Sequence, residues 1–405
     1  NTFAQTVTAA SAGTIAFGGT VDAATITLSG TGAVTFAGDV AATTAFDFTG
    51  DGTATIAANR TLTGVVTSEN NEGTLTFGTT TTNKTLASTT IGTSTTDELK
   101  AVNIVVTDAD LGDSIGVTAT MAGNIFATGV NATASAATDG EGDGDTVAFS
   151  GTVDATTLSL TGDGSFTFAD TVTATTVLVD DSIVTVAANK GFVGAVQNKN
   201  DEGTIAFATT TQDTTLASLL LGQAANDELK AVNATVTSGT ATFGGDVFAT
   251  TVTTTATDST GSDTIAFGDK VTATTLNLDG AGAFTFADTV TAAVVISGDS
   301  TSTVAANVIV VGAVTNDGTT GEGTLTFATT TATTTLANST IGATSAVLKA
   351  VNATSTAATA TFSGDVFATT VTATATDSTD SDTIAFGDKV TATTLNLDGA
   401  GAFTF

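Results

Sequence analysis

Residues 245–286 recur as residues 364–405, with 40 of the 42 positions identical. The two differences are Thr254 against Ala373 and Gly261 against Asp380. A chain that copies itself at a fixed period builds like units that bury their faces on one another, because no single unit can enclose a core. The same landmarks recur in fixed order elsewhere. A Thr-Ile-Ala-Phe-type segment ends at Phe17, Phe149, Phe267 and Phe386, at intervals of 132, 118 and 119 residues. It is followed by an Ala-Ala-Asn turn (Asn59, Asn189, Asn307), a Glu-Gly-Thr start (Glu72, Glu202, Glu322), a Lys-Ala-Val-Asn segment (Lys100, Lys230, Lys349) and a Phe-Ala-Thr segment (Phe126, Phe248, Phe367). The chain therefore divides into a longer first copy, 1–144, a second, 145–262, a third, 263–381, and the start of a fourth, 382–405. The first copy is longer because Asn103 to Phe126 spans 23 residues where its counterparts span 15. That stretch contains the only methionine, Met121, and reads as an added loop or partial coil. Both chain ends read as cuts through a longer array.

A shorter period lies inside the long one. Apolar centres in the third copy fall at Phe267, Phe286, Val304, Phe327, near Val347, at Phe362 and at Phe386. That is six steps in 119 residues, or about 20 residues per step, which predicts roughly twenty small units in the chain. Segments such as Ser-Phe-Thr-Phe and Thr-Leu-Thr-Phe alternate apolar and small polar residues with period two, the mark of a half-buried strand. Thr, Val, Ile and Phe favour strands. Gly-Asp, Asp-Gly and Ala-Asn pairs interrupt them with turn geometry. Two or three short strands in about 20 residues suit one coil of a parallel β-solenoid. The expected fold is thus all-β, six coils per repeat, one continuous solenoid. At a coil spacing of about 4.8 Å this would give a rod roughly 95 Å long. A β-propeller needs blades of about 40–50 residues closing into a ring, and a six-step repeat does not suit closure. Tandem sandwiches are the other alternative.

The composition limits the chemistry. The chain has no Cys, Pro, His, Trp or Tyr, and Phe, present 23 times, is its only aromatic residue. Inward Phe at equivalent coil positions is expected to stack as a ladder. The net charge of −31, from 40 acidic and 9 basic residues, opposes nucleic acid, which is bound through Lys and Arg. It also opposes anionic lipid. The charge serves solubility by repelling other copies. Without His, Cys and Tyr the commonest general bases and nucleophiles are missing, so an enzyme is not expected. No run of 18 apolar residues marks a membrane-spanning helix.

One metal candidate stands out. Asp139, Glu141, Asp143 and Asp145 alternate with Gly, which would let oxygens converge on a hard cation such as calcium. Asp377, Asp380 and Asp382 form a similar cluster, matched more weakly by Asp258 and Asp263. The plain alternative is a solvated acidic turn. Asn-x-Ser/Thr occurs at Asn59, Asn83, Asn131, Asn233, Asn338 and Asn352, which chance explains in a Thr-rich chain and glycosylation explains in some organisms. Thr-x-Thr patterns such as 371–376 invite an ice-binding reading, although Thr is common on exposed strand faces generally.

The phrases at 34–44 (Val-Thr-Phe-Ala-Gly-Asp-Val-Ala-Ala-Thr-Thr), 149–160 and 267–278 (Phe-Gly-Asp-Lys-Val-Thr-Ala-Thr-Thr-Leu-Asn-Leu) resemble repeats of large bacterial surface proteins. The class is autotransporter passengers and haemagglutinin-like adhesins, including rickettsial outer-membrane-protein-B-type passengers. The resemblance covers most of the chain through compositionally simple phrases. It implies a right-handed β-helix at the cell surface, serving adhesion, coating or filament formation through self-association. The transporter barrel that defines autotransporters is not among these residues.

Overall fold

The computed structural model describes residues 1–94, 96–107, 116–135, 144–199, 201–223, 227–258, 262–377 and 382–405. Among them there is no helix, and parallel strands stack as a β-solenoid of about 18 turns with a spacing of about 21 residues. The chain forms two compact units, residues 1–206 and 207–405.

In the first unit, one sheet begins with the long strands Thr2–Ala9, Val21–Leu28 and Val40–Phe48, followed by a long strand broken into Leu62–Thr63 and Val66–Ser68. It continues through short strands, Lys84–Ala87, Thr118–Met121, Thr146–Phe149 and Ser165–Phe168. The other sheet does the reverse. Its short strands Thr14–Phe17, Ala33–Phe36, Thr53–Ile56 and Thr74–Phe77 give way to the long strands Leu99–Val106, Ile125–Ala134 and Val153–Thr161. The second unit repeats this exchange. Long strands from Leu229–Val236 to Val290–Ser297 lead into the short strands Thr334–Ala337, Thr359–Phe362 and Thr383–Phe386. On its other sheet, short strands from Gly239–Phe243 to Thr301–Val304 lead, through Glu322–Thr330, into the long strands Leu348–Ser355 and Val366–Ala375.

The exchange corrects the expected six coils per repeat. Phe267 pairs in successive coils with Phe286, Val304, Phe327, Ala353 and Ala373, which is five steps. Phe386, the counterpart of Phe267 in the next copy, lies between Ala373 and that residue's partner Leu397, on the opposite sheet. The first unit shows the same offset. Ala16 leads through Thr35, Thr55, Thr76 and Asn103 to Asn131, and its counterpart Ala148 then falls on the other sheet, before Ser159. Each of these two repeats therefore holds five and a half coils, and within each unit the equivalent residues at its start and end lie on opposite sheets. Counting strand centres along the chain misses this, because Phe362 lies on the sheet opposite Ala353 and completes no further turn.

Why the coils bend where they do is visible in the long strands. Val153, Ala155, Leu158 and Leu160 point inward, but Thr156 and Thr157 are consecutive and both exposed. Two outward residues in succession break the alternation and turn the chain through a corner, where the ladder register also shifts. The inward residue just before that corner is Ala in coil after coil: Ala23, Ala42, Ala127, Ala155 and Ala174 in the first unit, Ala249, Ala273, Ala292 and Ala368 in the second, all buried. A small side chain suits the narrow inside of the bend. Where the long strand splits, Gly64 and Gly312 have φ of 119° and 123°, and a Cβ at either would collide with the carbonyl oxygen of Ala42 or Ala292 one coil below. Asn59 and Asn307 take left-handed conformations in the turns before these splits (φ 56° and 61°), and each donates its amide to a Thr hydroxyl one coil on, Thr81 and Thr331.

The core is apolar and stacked. Phe17 on Phe36, Phe149 on Phe168, Phe243 on Phe267 on Phe286, and Phe362 on Phe386 have ring centroids 4.9–5.2 Å apart and interplanar angles of 3–11°. The expected Phe ladder is therefore present at the coil spacing, each ring contributing about 1.5–3 kcal/mol by burial. Met121 takes the place of a ladder Phe: it is fully buried in a short strand and pairs with Phe149. It is thus not part of the added loop. The extra length of the first copy falls in the link between Val106 and Thr118, of which 108–115 lie outside the described residues. Not every Phe is inward. Phe126, Phe248 and Phe367 alternate with the buried residues on either side and lie in register with the outward Asp154, Thr272 and Thr391. Phe248 and Phe367 are nonetheless only 8% and 6% exposed, and Lys389 Nζ lies 5.8 Å from the Phe367 ring.

Candidate functional site

The acidic turns behave as corner locks. Asp145, Asp263 and Asp382 each immediately precede a Thr-Val/Ile-Ala-Phe strand, and each is at most 2% exposed. Asp145 Oδ1 accepts the backbone N–H of Val117 at 3.0 Å. Asp263 Oδ2 accepts the N–H of Asp258 at 2.7 Å and the Thr257 hydroxyl at 3.1 Å. Asp382 Oδ2 accepts the N–H of Asp377 at 2.8 Å. A buried carboxylate that receives backbone N–H groups satisfies donors that a tight turn would otherwise leave bare. Asp139, Glu141, Asp143 and Asp380 lie outside the described residues. Among the described residues no group of three acidic, His or Cys side chains is placed to hold a metal ion. Calcium takes six to eight oxygens. From the turns in question the described residues offer one buried carboxylate oxygen without a hydrogen-bond partner, Asp382 Oδ1.

A second set of acidic side chains, which composition alone does not single out, lines the corner between each short strand and the next long one. Asp39 Oδ1 accepts the N–H of Thr61 one coil on, at 3.0 Å, and Asn124 does the same for Thr152. In the second unit Asp246 and Asp365 accept the N–H groups of Lys270 and Lys389, each at 3.1 Å. The surroundings of the acids at these short-to-long corners differ. Asp170 meets Lys190 Nζ at 2.6 Å, and that hydrogen bond, helped by the N–H of Thr171, holds its carboxyl below the ordinary value. Asp246 has no such partner. Burial raises its carboxyl above the ordinary value, and the neighbouring Asp269 adds to the rise.

The outer faces are tied coil to coil. Asn103 and Asn131 bond to Thr76 and Asn103, and Asn277, Asn352 and Asn396 to Thr253, Thr326 and Thr372, at 2.9–3.4 Å. Thr372 and Thr374 of the 371–376 segment face outward while Ala373 is buried, so its Thr-x-Thr pattern is an outer-face pattern and part of its hydroxyl capacity goes to this ladder. Of the Asn-x-Ser/Thr positions, Asn131 and Asn352 belong to the ladder, and Asn83 and Asn338 are exposed in turns. Lys100 reaches Asp51 at 2.7 Å and Lys349 reaches Asp299 at 2.6 Å, each two coils back. Exposed pairs of this kind contribute about 0–1 kcal/mol each.

No helix of the described residues is long and apolar enough to cross a membrane. No family model, curated protein or solved structure matches the chain.

Proposed function

We propose that this chain is an extracellular structural protein, a stiff acidic β-solenoid that serves as stalk, filament or surface coat and has no catalytic role. The observation that carries this reading is where its polar side chains go. Corner aspartates, outer-face Asn and Thr, and the long-reaching lysines bond to the coil next to them or to the one beyond. Such bonds stiffen a stack and converge on no substrate. The absence of His, Cys and Tyr from the composition points the same way. Surface display, self-association into filaments or layers, and kinship with autotransporter passengers and adhesins rest on the repeat phrases and the acidic charge. Fold alone does not choose among stalk, coat and adhesin.

A calcium-linked surface layer is the second reading, favoured by the alternating carboxylates of 139–145 and by the unpaired Asp382 Oδ1. Ice binding is a remote third. Electron microscopy of native material with calcium and then with a chelator separates the first two. Thin rods indifferent to chelation support the stalk or filament. Lattices or bundles that dissolve on chelation support the calcium-linked layer. Discrete globular particles in both conditions would sink the structural reading.

A further inference from the structure

The aspartate corner of the second unit brings two carboxylates onto one backbone N–H, an arrangement that the fold repeats. Lys270 N–H is shared between Asp246 Oδ1 and Asp269 Oδ1, both at 3.1 Å. In the next copy Lys389 N–H is shared between Asp365 Oδ1 and Asp388 Oδ1, at 3.1 and 2.9 Å. Two carboxylates that converge on one N–H are close to each other, and like charges in contact oppose ionisation. The column continues, because Val271 pairs with Val290 and so sets the turn of Asp288 one coil beyond that of Asp269. Three acids thus stand at one corner in three successive coils. The turn on the other side of Asp246, residues 218–220, is Ser-Leu-Leu and carries no charge. Among the described residues the one cation in the column is Lys270; its backbone N–H opposes the rise at Asp246, but its side-chain charge acts on Asp246 more weakly than the charge of Asp269 does. At a short-to-long corner of the first unit, Asp170 meets Lys190 instead.

We propose that the Asp246–Asp269–Asp288 corner is an acid-strengthened latch, in which protonation removes a like-charge contact and tightens the stacking of these coils as the pH falls from neutrality. A protonated Asp246 would become a donor to the Asp269 carboxylate, and the pair would change from repulsion to a carboxyl–carboxylate hydrogen bond. The direction follows from linkage. Asp246 binds its proton more tightly folded than unfolded, so its contribution is present below its unfolded value and is lost as the pH rises through its folded value. Asp170 is held low, so its contribution is present above its unfolded value and is lost as the pH falls through its folded value. The two corners respond to acid in opposite directions within one molecule.

Hydrogen exchange on the full chain, corrected for the intrinsic rate and compared near neutrality and in mild acid, reads both corners at once. The amides of Val247 and Val271 bridge the acidic corner by bonding to the carbonyls of Lys270 and Thr289, and the amide of Val172 bridges the paired one by bonding to that of Gly191. Protection at Val247 and Val271 should rise several-fold in mild acid relative to Val172. Asp269→Asn should raise it already at neutrality and reduce the further gain, leaving only the part due to burial of Asp246. The control is Asp279→Asn, which removes the same charge from a residue whose neighbours one coil away are Thr255 and Ser297; it should leave the gain intact. Protection that falls in acid, a gain that Asp269→Asn leaves undiminished, or an equal effect of Asp279→Asn would each overturn the latch; the last would assign the response to net charge alone.

Discussion

Ser302 is the clearest misfit in the core, and replacing it should stabilise the protein. It points inward from Thr301–Val304, is 1% exposed, and its hydroxyl has no hydrogen-bond partner. It also lines a cavity of about 10 Å³ whose other walls, among them Leu278, Phe286, Ile296 and Leu325, are apolar. A space of that size is at the lower limit for one water, and one hydroxyl is too few partners to hold it there. The equivalent residues of the first and second copies are Ala54 and Val184, both fully buried. Val184 stacks above Phe166 as Ser302 stacks above Phe284, so the backbone of this coil already accepts valine over a ring. Ser302→Val removes an unpaired buried hydroxyl, a gain of about 1–3 kcal/mol. It adds apolar carbon at about 0.8 kcal/mol per group. Crowding offsets part of this, since overfilling a packed core costs about 1–3 kcal/mol. The expected net is roughly 1–2 kcal/mol of stabilisation, with Ser302→Ala giving about 1 kcal/mol from loss of the hydroxyl alone. Unfolding of a stacked array need not be two-state. The assay is therefore urea denaturation by circular dichroism combined with amide exchange at Thr301–Val304. The reciprocal change, Val184→Ser, should lower protection around Ile183–Val186. If Ser302→Val reduces protection while Ser302→Ala does not raise it, the hydroxyl is satisfied and the reasoning fails.

Phe286→Asp puts a carboxylate into the ladder, where Phe286 is 4% exposed and stacked 5.1 Å from Phe267. Loss of the ring alone costs about 3–5 kcal/mol, and the second unit should lose its cooperative thermal transition; an unchanged melt would refute the inward assignment. Gly312→Ala combines a φ of 123° with a collision against the Ala292 carbonyl, so a loss of about 1–3 kcal/mol is expected by thermal melting. No loss there would mean that the split strand relaxes freely. Lys190→Met removes the partner of Asp170 and should cost no more than about 1 kcal/mol near neutrality, because the pair is partly exposed. The difference from wild type should vanish as the pH falls through the folded titration of Asp170; a difference that grows in acid would contradict the assignment.

Much of the candidate chemistry was legible only as composition. Asp145 and Asp382 were visible as acids near glycines, but the spacing does not reveal that both are buried and bonded to backbone N–H groups. Asp246 stands one residue before its long strand, in Gly-Gly-Asp-Val, and Asp170 two residues before its own, in Phe-Ala-Asp-Thr-Val, and both read alike as acidic turn residues. Their opposite titration depends on burial, reinforced by Asp269, for one and on Lys190 for the other, and each of these neighbours lies one coil away, some twenty residues along the chain. Phe126, Phe248 and Phe367 read as core residues because Phe is the core aromatic elsewhere. The alternation Val247-Phe248-Ala249 was the signal that places them outside.

By itself the sequence determined the local rules of this protein. Alternation with period two sets which side chains of each short segment turn inward, repetition demands stacking, and an inward residue, Ala in most coils, followed by two outward ones marks a bend. These are short-range properties, set by backbone sterics and by burial of the nearest apolar face. Only the tertiary structure decided which strand lies on which sheet. That depends on the summed length of every turn in a coil: the steps of 19, 18, 23, 26 and 20 residues from Phe267 to Ala373 leave 13 of the 119 for half a further turn. No single segment carries that sum. The half-coil offset, the faces that consecutive copies display, and the coil-to-coil partners of every corner aspartate follow from it.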